Sequence, residues 1–152
     1  MRRPSPVLLV VALALVASGC GTDTKAANHY VDAVNKAQTD FATTFDQLSG
    51  QITSTSTAAQ DRQTLDGFKQ AIDKVVTDFR AVKAPDKVKA LHGRLIAEIS
   101  AYGKAIDKAK LAFSDEDPQA IVKAQADLVS AVTRVQAQIN MTIADINKKL
   151  RE

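Results

Sequence analysis

Residues 65–82 read LDGFKQAIDKVVTDFRAV and contain the most regular helical pattern in the chain. Apolar side chains recur there at alternating steps of three and four residues, at Leu65, Phe68, Ile72, Val75, Phe79 and Val82. This spacing places them on one face of an α-helix, whereas the side chains of a half-buried strand alternate at every second residue. The segment therefore predicts an amphipathic helix whose apolar face is covered by other parts of the chain.

Both ends of this helix are marked by the residues around it. Thr57 and Gln60 have the spacing of a capping box, in which each side chain binds the backbone amide of the other residue at a helix start. Ala84-Pro85 stands at the other end, and proline disfavours helical geometry in the residue before it while fitting the first position of a new helix. The sequence thus predicts a tight turn at Pro85 between two helices.

Three other segments carry the same helical spacing. Their apolar positions are Tyr30, Val34, Ala37, Phe41, Phe45, Leu48 and Ile52 in the first; Val88, Leu91, Leu95, Ile99, Tyr102, Ile106, Ala109 and Phe113 in the next; and Ile121, Ala124 or Gln125, Leu128, Val132, Val135, Ile139, Ile143, Ile146 and Leu150 in the last. Acidic residues from Asp115 to Asp117 precede Pro118, where the dipole of a new helix favours them. Four helices of roughly 25 to 34 residues joined by short turns predict an all-α fold, an antiparallel up-down four-helix bundle over residues 25–152.

Composition and charge narrow the class of protein. The 152 residues suit one domain, with no Trp and only six Gly and four Pro to interrupt helices. The formal net charge of +3 falls to +1 when Arg2 and Arg3 are removed with a signal peptide, because no acidic residue precedes Asp23. A nearly neutral chain argues against nucleic acid as a partner, which requires a concentrated cationic face. The single cysteine, Cys20, excludes an intramolecular disulfide and a thiolate metal cluster.

The first nineteen residues have the organisation of an export signal. Arg2 and Arg3 precede an uncharged and mostly aliphatic run from Val7 to Ala17. Eleven such residues form a signal-peptide core but are too few to span a bilayer. We therefore expect residues 1–19 to be a cleaved signal peptide.

The run Val16-Ala17-Ser18-Gly19-Cys20 resembles the lipobox of bacterial lipoproteins, with Ala17 where Leu is commonest. The resemblance implies that the lipoprotein signal peptidase recognises Val16, Ala17, Ser18 and Gly19 and cleaves before Cys20. Cys20 then becomes an N-terminus whose sulfur carries diacylglycerol, so that its acyl chains hold the protein in membrane lipid on the extracytoplasmic face of the cell membrane. The alternatives are an ordinary secretory signal with an incidental cysteine and an uncleaved anchor.

Residues 20–24 then form a lipidated tether, and an even number of helices returns the C-terminus to the tethered end. Lys25, Lys148, Lys149 and Arg151 are therefore expected to face the membrane surface. Each cation near anionic headgroups contributes on the order of 1 kcal/mol to binding. The alternative is a solvated helix end whose cations complement the helix dipole.

The two histidines, His29 and His92, fall near the first turns of the first and third predicted helices. Each stands one residue from an apolar position, so we expect boundary histidines with local hydrogen bonds and no cofactor. The alternative is a shared metal or haem site at this end of the bundle, although the sequence has no Glu-x-x-His pair and no Cys-x-x-Cys-His motif. Met141 is another conceivable soft ligand, and we expect it instead to fill a gap in the core.

Residues 83–110 contain seven basic residues against three acidic ones. The basic residues are Lys83, Lys87, Lys89, Arg94, Lys104, Lys108 and Lys110. Such a stripe suits an anionic envelope polymer or a partner protein, and its alternative is a solvated helix face.

No local pattern for catalysis is present in the sequence. It has no Gly-x-Ser-x-Gly turn, and its glycines are scattered, whereas a phosphate-binding loop requires a cluster of them. We therefore predict a non-catalytic module that binds an envelope component or acts as a structural accessory. The alternative is a carrier of a metal, haem or an apolar molecule between the helices. The Ala-rich helical pattern behind a lipobox resembles the small lipoproteins of high-GC Gram-positive bacteria, and this resemblance implies no particular activity.

Overall fold

The computed structural model describes residues 22–49, 57–112 and 117–152. They form four α-helices: α1 (Thr22–Ser49), α2 (Ala58–Ala81), α3 (Lys89–Ala112) and α4 (Pro118–Arg151). A short 3₁₀ turn, Asp86–Val88, leads into α3. These three ranges contain no strand, which confirms the predicted all-α class.

The helices contain 28, 24, 24 and 34 residues, close to the lengths predicted from the apolar spacing. α1 begins at Thr22, so three of the five residues predicted as a tether are helical. The side chains at five predicted apolar positions lie outside the described part of the chain: Phe41, Phe45, Leu48, Ile52 and Phe113.

Two of the predicted helix starts are confirmed by their capping contacts. At α2, the Gln60 amide donates to Thr57 Oγ1 over 3.2 Å and the Thr57 amide donates to Gln60 Oε1 over 2.8 Å. At α4, the Gln119 amide donates to Asp117 Oδ1 over 2.9 Å, and Pro118 occupies the first helical position. Each cap satisfies amides that have no partner within the helix, which contributes about 1 kcal/mol.

The connection between α2 and α3 differs from the prediction in one respect. α2 ends at Ala81, and Pro85 lies before the 3₁₀ turn instead of at the first position of α3. The Val88 amide donates to the Pro85 carbonyl over 3.0 Å, and the Val88 side chain is completely buried. Proline therefore begins the 3₁₀ turn, and burial of Val88 fixes the turn against the core.

The core is built around α2 and α3. Every apolar position predicted for α2 is buried except Val82, which is partly buried against the core. α3 packs against both α2 and α4, and α1 packs against α2. The most deeply buried apolar side chains come from all four helices and the 3₁₀ turn: Tyr30, Val34, Ile72, Phe79, Val88, Leu95, Ile106, Ile143 and Ile146.

α4 is buried unevenly along its length. Its buried apolar residues are Val135, Ile143, Ile146 and Leu150, three of them toward the C-terminus, and Ile121, Leu128 and Ile139 are partly buried against the core. Met141 is 55% exposed, so the expectation that it fills a gap in the core is wrong. It follows Ile139 by two residues, which turns its side chain about 200° around the helix and away from the core.

Gly103 lies where α3 approaches α2. A Cβ atom at this position is 3.4 Å from Ile72 Cγ2 and 3.5 Å from the side chain of Lys69. A Cβ atom on Gly93, in the same helix, has no neighbouring atom within 4 Å. The two glycines therefore form a matched pair for testing the approach of the two helices.

We expect Gly103→Leu to lower the free energy of unfolding by about 1–3 kcal/mol, because the added side chain overpacks against Ile72. The same substitution at exposed Gly93 should raise it by roughly 0.5–1 kcal/mol, because leucine is the better helix former. Urea unfolding of both variants measures the difference. Equal effects of the two substitutions would contradict the close approach of α3 to α2.

Candidate functional site

His92 is a buried polar residue that joins three helices. It lies in the first turn of α3 and is 8% exposed. Its Nε2 is 3.0 Å from the carbonyl oxygen of Phe79 in α2, and its Nδ1 is 3.2 Å from the hydroxyl of Tyr30 in α1. The imidazole also stacks on the Phe79 ring at 6.1 Å between centroids and meets the Tyr30 ring edge-on at 5.5 Å.

These contacts fix the tautomer of the neutral His92 ring. A carbonyl oxygen only accepts hydrogen bonds, so Nε2 carries the proton and donates it to Phe79. In the neutral ring Nδ1 is then an acceptor, and the Tyr30 hydroxyl donates to it. Burial lowers the pKa of His92, an effect that the Phe79 carbonyl partly opposes, and burial raises the pKa of Tyr30 to about 12. Both groups therefore stay neutral at physiological pH.

The structure does not bring His29 and His92 together into a shared metal or haem site, which was the alternative to two separate histidines. The His29 side chain is exposed, and its neighbour Tyr30 is the residue that contacts His92. Both ring nitrogens of His92 are occupied by hydrogen bonds. Within the described residues, no three His, Cys, Asp or Glu side chains are grouped closely enough to hold a metal ion. The expectation of purely local hydrogen bonds was wrong for His92, because its partners lie 62 and 13 residues away.

A second buried polar contact joins α3 to α4. Thr142 is completely buried, and its hydroxyl donates to Glu98 Oε1 over 3.0 Å. The same oxygen accepts from Arg94 Nε over 2.9 Å, while Glu98 Oε2 is buried without a hydrogen bond to any described residue. The carboxylate thus connects two helices within a surface that is otherwise apolar.

A cationic surface lies where the 3₁₀ turn meets the end of α4. Lys87 Nζ donates to the carbonyl oxygen of Leu150 over 3.2 Å. Leu150 lies in the last turn of α4, whose carbonyls have no partner within the helix, so Lys87 supplies one. We call this surface the basic end; its exposed cations are Lys83, Lys87, Lys89, Lys148, Lys149 and Arg151.

The stripe of basic residues predicted between 83 and 110 is divided in the structure. Its first three members belong to the basic end, whereas its last two lie at the far end of α3, a helix about 36 Å long. Lys110 pairs there with Asp66, and Lys108 lies 4.0 Å from Asp127. Arg94 pairs with Glu98 between the two ends. Distance therefore separates Lys83, Lys87 and Lys89 at the basic end from the rest of the stripe, in which Arg94 and Lys110 are paired with carboxylates.

All four residues predicted to contact the membrane surface are exposed: Lys25, Lys148, Lys149 and Arg151. Cys20 and the recognition residues Val16 to Gly19 lie outside the described residues, so their predicted roles remain predictions. None of the helices in the described ranges combines the length and hydrophobicity that crossing a bilayer requires.

Comparisons with known proteins place the chain in no family. No family model matches the sequence, no curated protein matches it, and no solved structure matches the fold.

The burial of neutral His92 predicts a pH dependence of stability. Its pKa is lower in the folded protein than the ordinary value of 6.5, so the unfolded chain takes up a proton first as the pH falls. The free energy of unfolding should therefore decrease as the pH falls through 6.5, well above the range in which carboxylates titrate. Urea unfolding between neutral and mildly acidic pH measures this decrease.

The His92→Gln variant should lose this decrease, because glutamine does not titrate. The matched variant His29→Gln should keep it, because His92 is still present. A decrease that survives His92→Gln and disappears in His29→Gln would contradict the assignment.

We expect Tyr30→Phe to lower the free energy of unfolding by about 1–3 kcal/mol, because it leaves the buried Nδ1 of His92 without a donor. In a His92→Leu background the same change should cost much less, since no ring nitrogen is left unsatisfied. A double-mutant cycle by urea unfolding measures the coupling. An equal loss of free energy of unfolding in both backgrounds would show that the Tyr30 hydroxyl does not act through His92.

Proposed function

We propose that this chain is a lipoprotein, anchored by diacylated Cys20 on the extracytoplasmic face of the cell membrane. The observation that carries the proposal is the run Val16-Ala17-Ser18-Gly19-Cys20 directly after an apolar segment of signal-peptide length. Two acyl chains on one cysteine give stable attachment without a membrane-spanning helix. The start of α1 at Thr22 leaves only Gly21 between the helix and the lipidated residue.

We further infer that the four helices form an antiparallel up-down bundle. For α2 and α3, the support is that Lys110 pairs with Asp66 at one end while His92 contacts Phe79 at the other. For α3 and α4, Glu98 contacts Thr142, the end of α3 approaches the start of α4, and the 3₁₀ turn approaches the end of α4. For α1, the contact of Tyr30 with His92 brings its first turns to the start of α3.

The bundle itself is proposed to act without catalysis, as a module that binds an envelope component or serves as a structural accessory. The support is the use made of four buried polar side chains that lie between helices. Tyr30, His92, Glu98 and Thr142 are all engaged in contacts that join one helix to another. Such groups hold the register of helices, and the outer surface of the bundle is then the part that meets a partner.

Intact mass spectrometry of the protein extracted from the membranes of its native host tests the anchor. We expect the mass of residues 20–152 plus the acyl chains of a diacylglycerol. Cys20→Ala should remain an uncleaved precursor without lipid, because the thioether requires the cysteine sulfur. Ser18→Ala is the matched control and should still be processed, because the position requires only a small side chain.

Two other masses would contradict the proposal. An unmodified chain that begins after an ordinary signal-peptidase site would indicate a secreted protein. A full-length chain in the membrane fraction would indicate an uncleaved anchor.

A further inference from the structure

We propose that the basic end is a docking surface for anionic phospholipid headgroups, and that the bundle stands on the membrane with this end down. The inference rests on the proposed lipid anchor and adds to it a defined contact and orientation. It also assigns a role to Lys83, Lys87 and Lys89, which the sequence grouped with a stripe for a polymer or a protein partner.

The first support is the meeting of two separate segments at this end. The bond from Lys87 Nζ to the Leu150 carbonyl fixes the 3₁₀ turn beside the last turn of α4. Val88 is completely buried next to it, and the 3₁₀ turn packs against both α3 and α4. Because the backbone is held at these points, the surrounding lysines extend from one part of the surface.

The second support is the balance of charge. Residues 83–89 and 148–152 together carry six cationic side chains and only two acidic ones, Asp86 and Glu152. Glu152 accepts a hydrogen bond from Lys149 over 2.6 Å, and its pKa is lowered by that bond and further by Lys148 and Lys87. The field of both segments therefore reaches the same carboxylate. The net positive charge complements anionic headgroups.

The third support is the position of the first turns of α1 along the axis of α3. Tyr30 contacts His92 in the first turn of α3, and Lys25 precedes Tyr30 by five residues, about 7.5 Å along α1, so in the proposed up-down bundle Lys25 lies toward the basic end. Lys25 is exposed and adds a seventh cation at the start of α1, where Asp23 is a third acidic residue. The segment leading to the lipidated cysteine thus leaves the bundle at the basic end.

The short stretch of chain between the proposed lipid anchor and α1 indicates that the occupant of this surface is a membrane. Two residue steps separate Cys20 from Thr22, and two steps of extended chain span at most about 7 Å. Charges near the start of α1 are therefore held within about one Debye length of the headgroups, where attraction is only partly screened. At the far end of α3, Lys110 pairs with Asp66, and Lys108 lies 4.0 Å from Asp127, which also pairs with Lys123. The charge distribution thus favours one end of the bundle.

The experiment uses the full lipidated protein reconstituted into vesicles of phosphatidylcholine alone or of phosphatidylcholine with phosphatidylglycerol. A fluorophore is placed at Ala90→Cys beside the basic end or at Ala126→Cys on α4, both exposed positions. The sulfur of Cys20 takes no label because it carries lipid. A quencher on the lipid headgroups then reports how close each position lies to the surface.

We expect phosphatidylglycerol to increase quenching at position 90 and to leave position 126 unchanged. The triple variant Lys83→Gln/Lys89→Gln/Lys148→Gln should reduce quenching at position 90 to the level found on phosphatidylcholine alone. Lys87 is kept because it bonds to Leu150. The matched variant Lys104→Gln/Lys108→Gln/Lys123→Gln removes three exposed lysines elsewhere and should retain the full increase.

The outcomes separate this inference from the proposal on which it rests. Protein that floats with neither kind of vesicle contradicts the lipid anchor. If the protein floats with both kinds of vesicle but phosphatidylglycerol does not change the quenching at position 90, the docking surface is overturned and the lipid anchor is not. Retention on purified cell-wall polymer that depends on Lys83, Lys89 and Lys148, without any lipid dependence, would assign the basic end to an anionic polymer instead.

Discussion

The imidazole of His92 is buried among apolar side chains, and its two nitrogens find partners on two other helices. Phe79 of α2 supplies a carbonyl and Tyr30 of α1 supplies a hydroxyl. An unsatisfied buried polar atom costs about 1–3 kcal/mol, so both partners must be in place together for the ring to be buried. This requirement fixes the positions of α1 and α2 along the axis of α3.

The register of the helices determines the charge distribution. Tyr30 of α1 contacts His92 in the first turn of α3, and Lys87 is bonded to the last turn of α4, so the lysines around the 3₁₀ turn and the cations at the end of α4 share one end. Toward the other end, lysines lie against aspartates of neighbouring helices, as in the pair of Lys110 with Asp66. A surface of this kind is useful to a protein that is tethered at the same end. The proposed lipid on Cys20 brings the protein to the bilayer, and the proposed contact with headgroups orients it there.

Local chemistry made much of the fold predictable from the sequence. The apolar spacing from Leu65 to Phe79, the capping box at Thr57 and the cap at Asp117 depend on residues within a few positions of one another, and all are found in the structure. The candidate site was not predictable in this way. The contact of Tyr30 with His92 spans 62 residues and depends on helix register, which apolar spacing leaves undetermined. The division of the basic stripe was not predictable for a related reason, because residues close in sequence are spread along a helix about 36 Å long.

The central claim is that the start of α1, the turn before α3 and the end of α4 lie at one end of the molecule. Pulsed electron paramagnetic resonance on the membrane-extracted protein tests it, with spin labels at Lys25→Cys paired with either Lys148→Cys or Lys104→Cys. Lys104 lies 15 residues beyond Lys89, the first residue of α3, about 22 Å along the helix axis, so the 25/104 distance should be clearly the longer. A 25/148 distance equal to or longer than the 25/104 distance would contradict the arrangement.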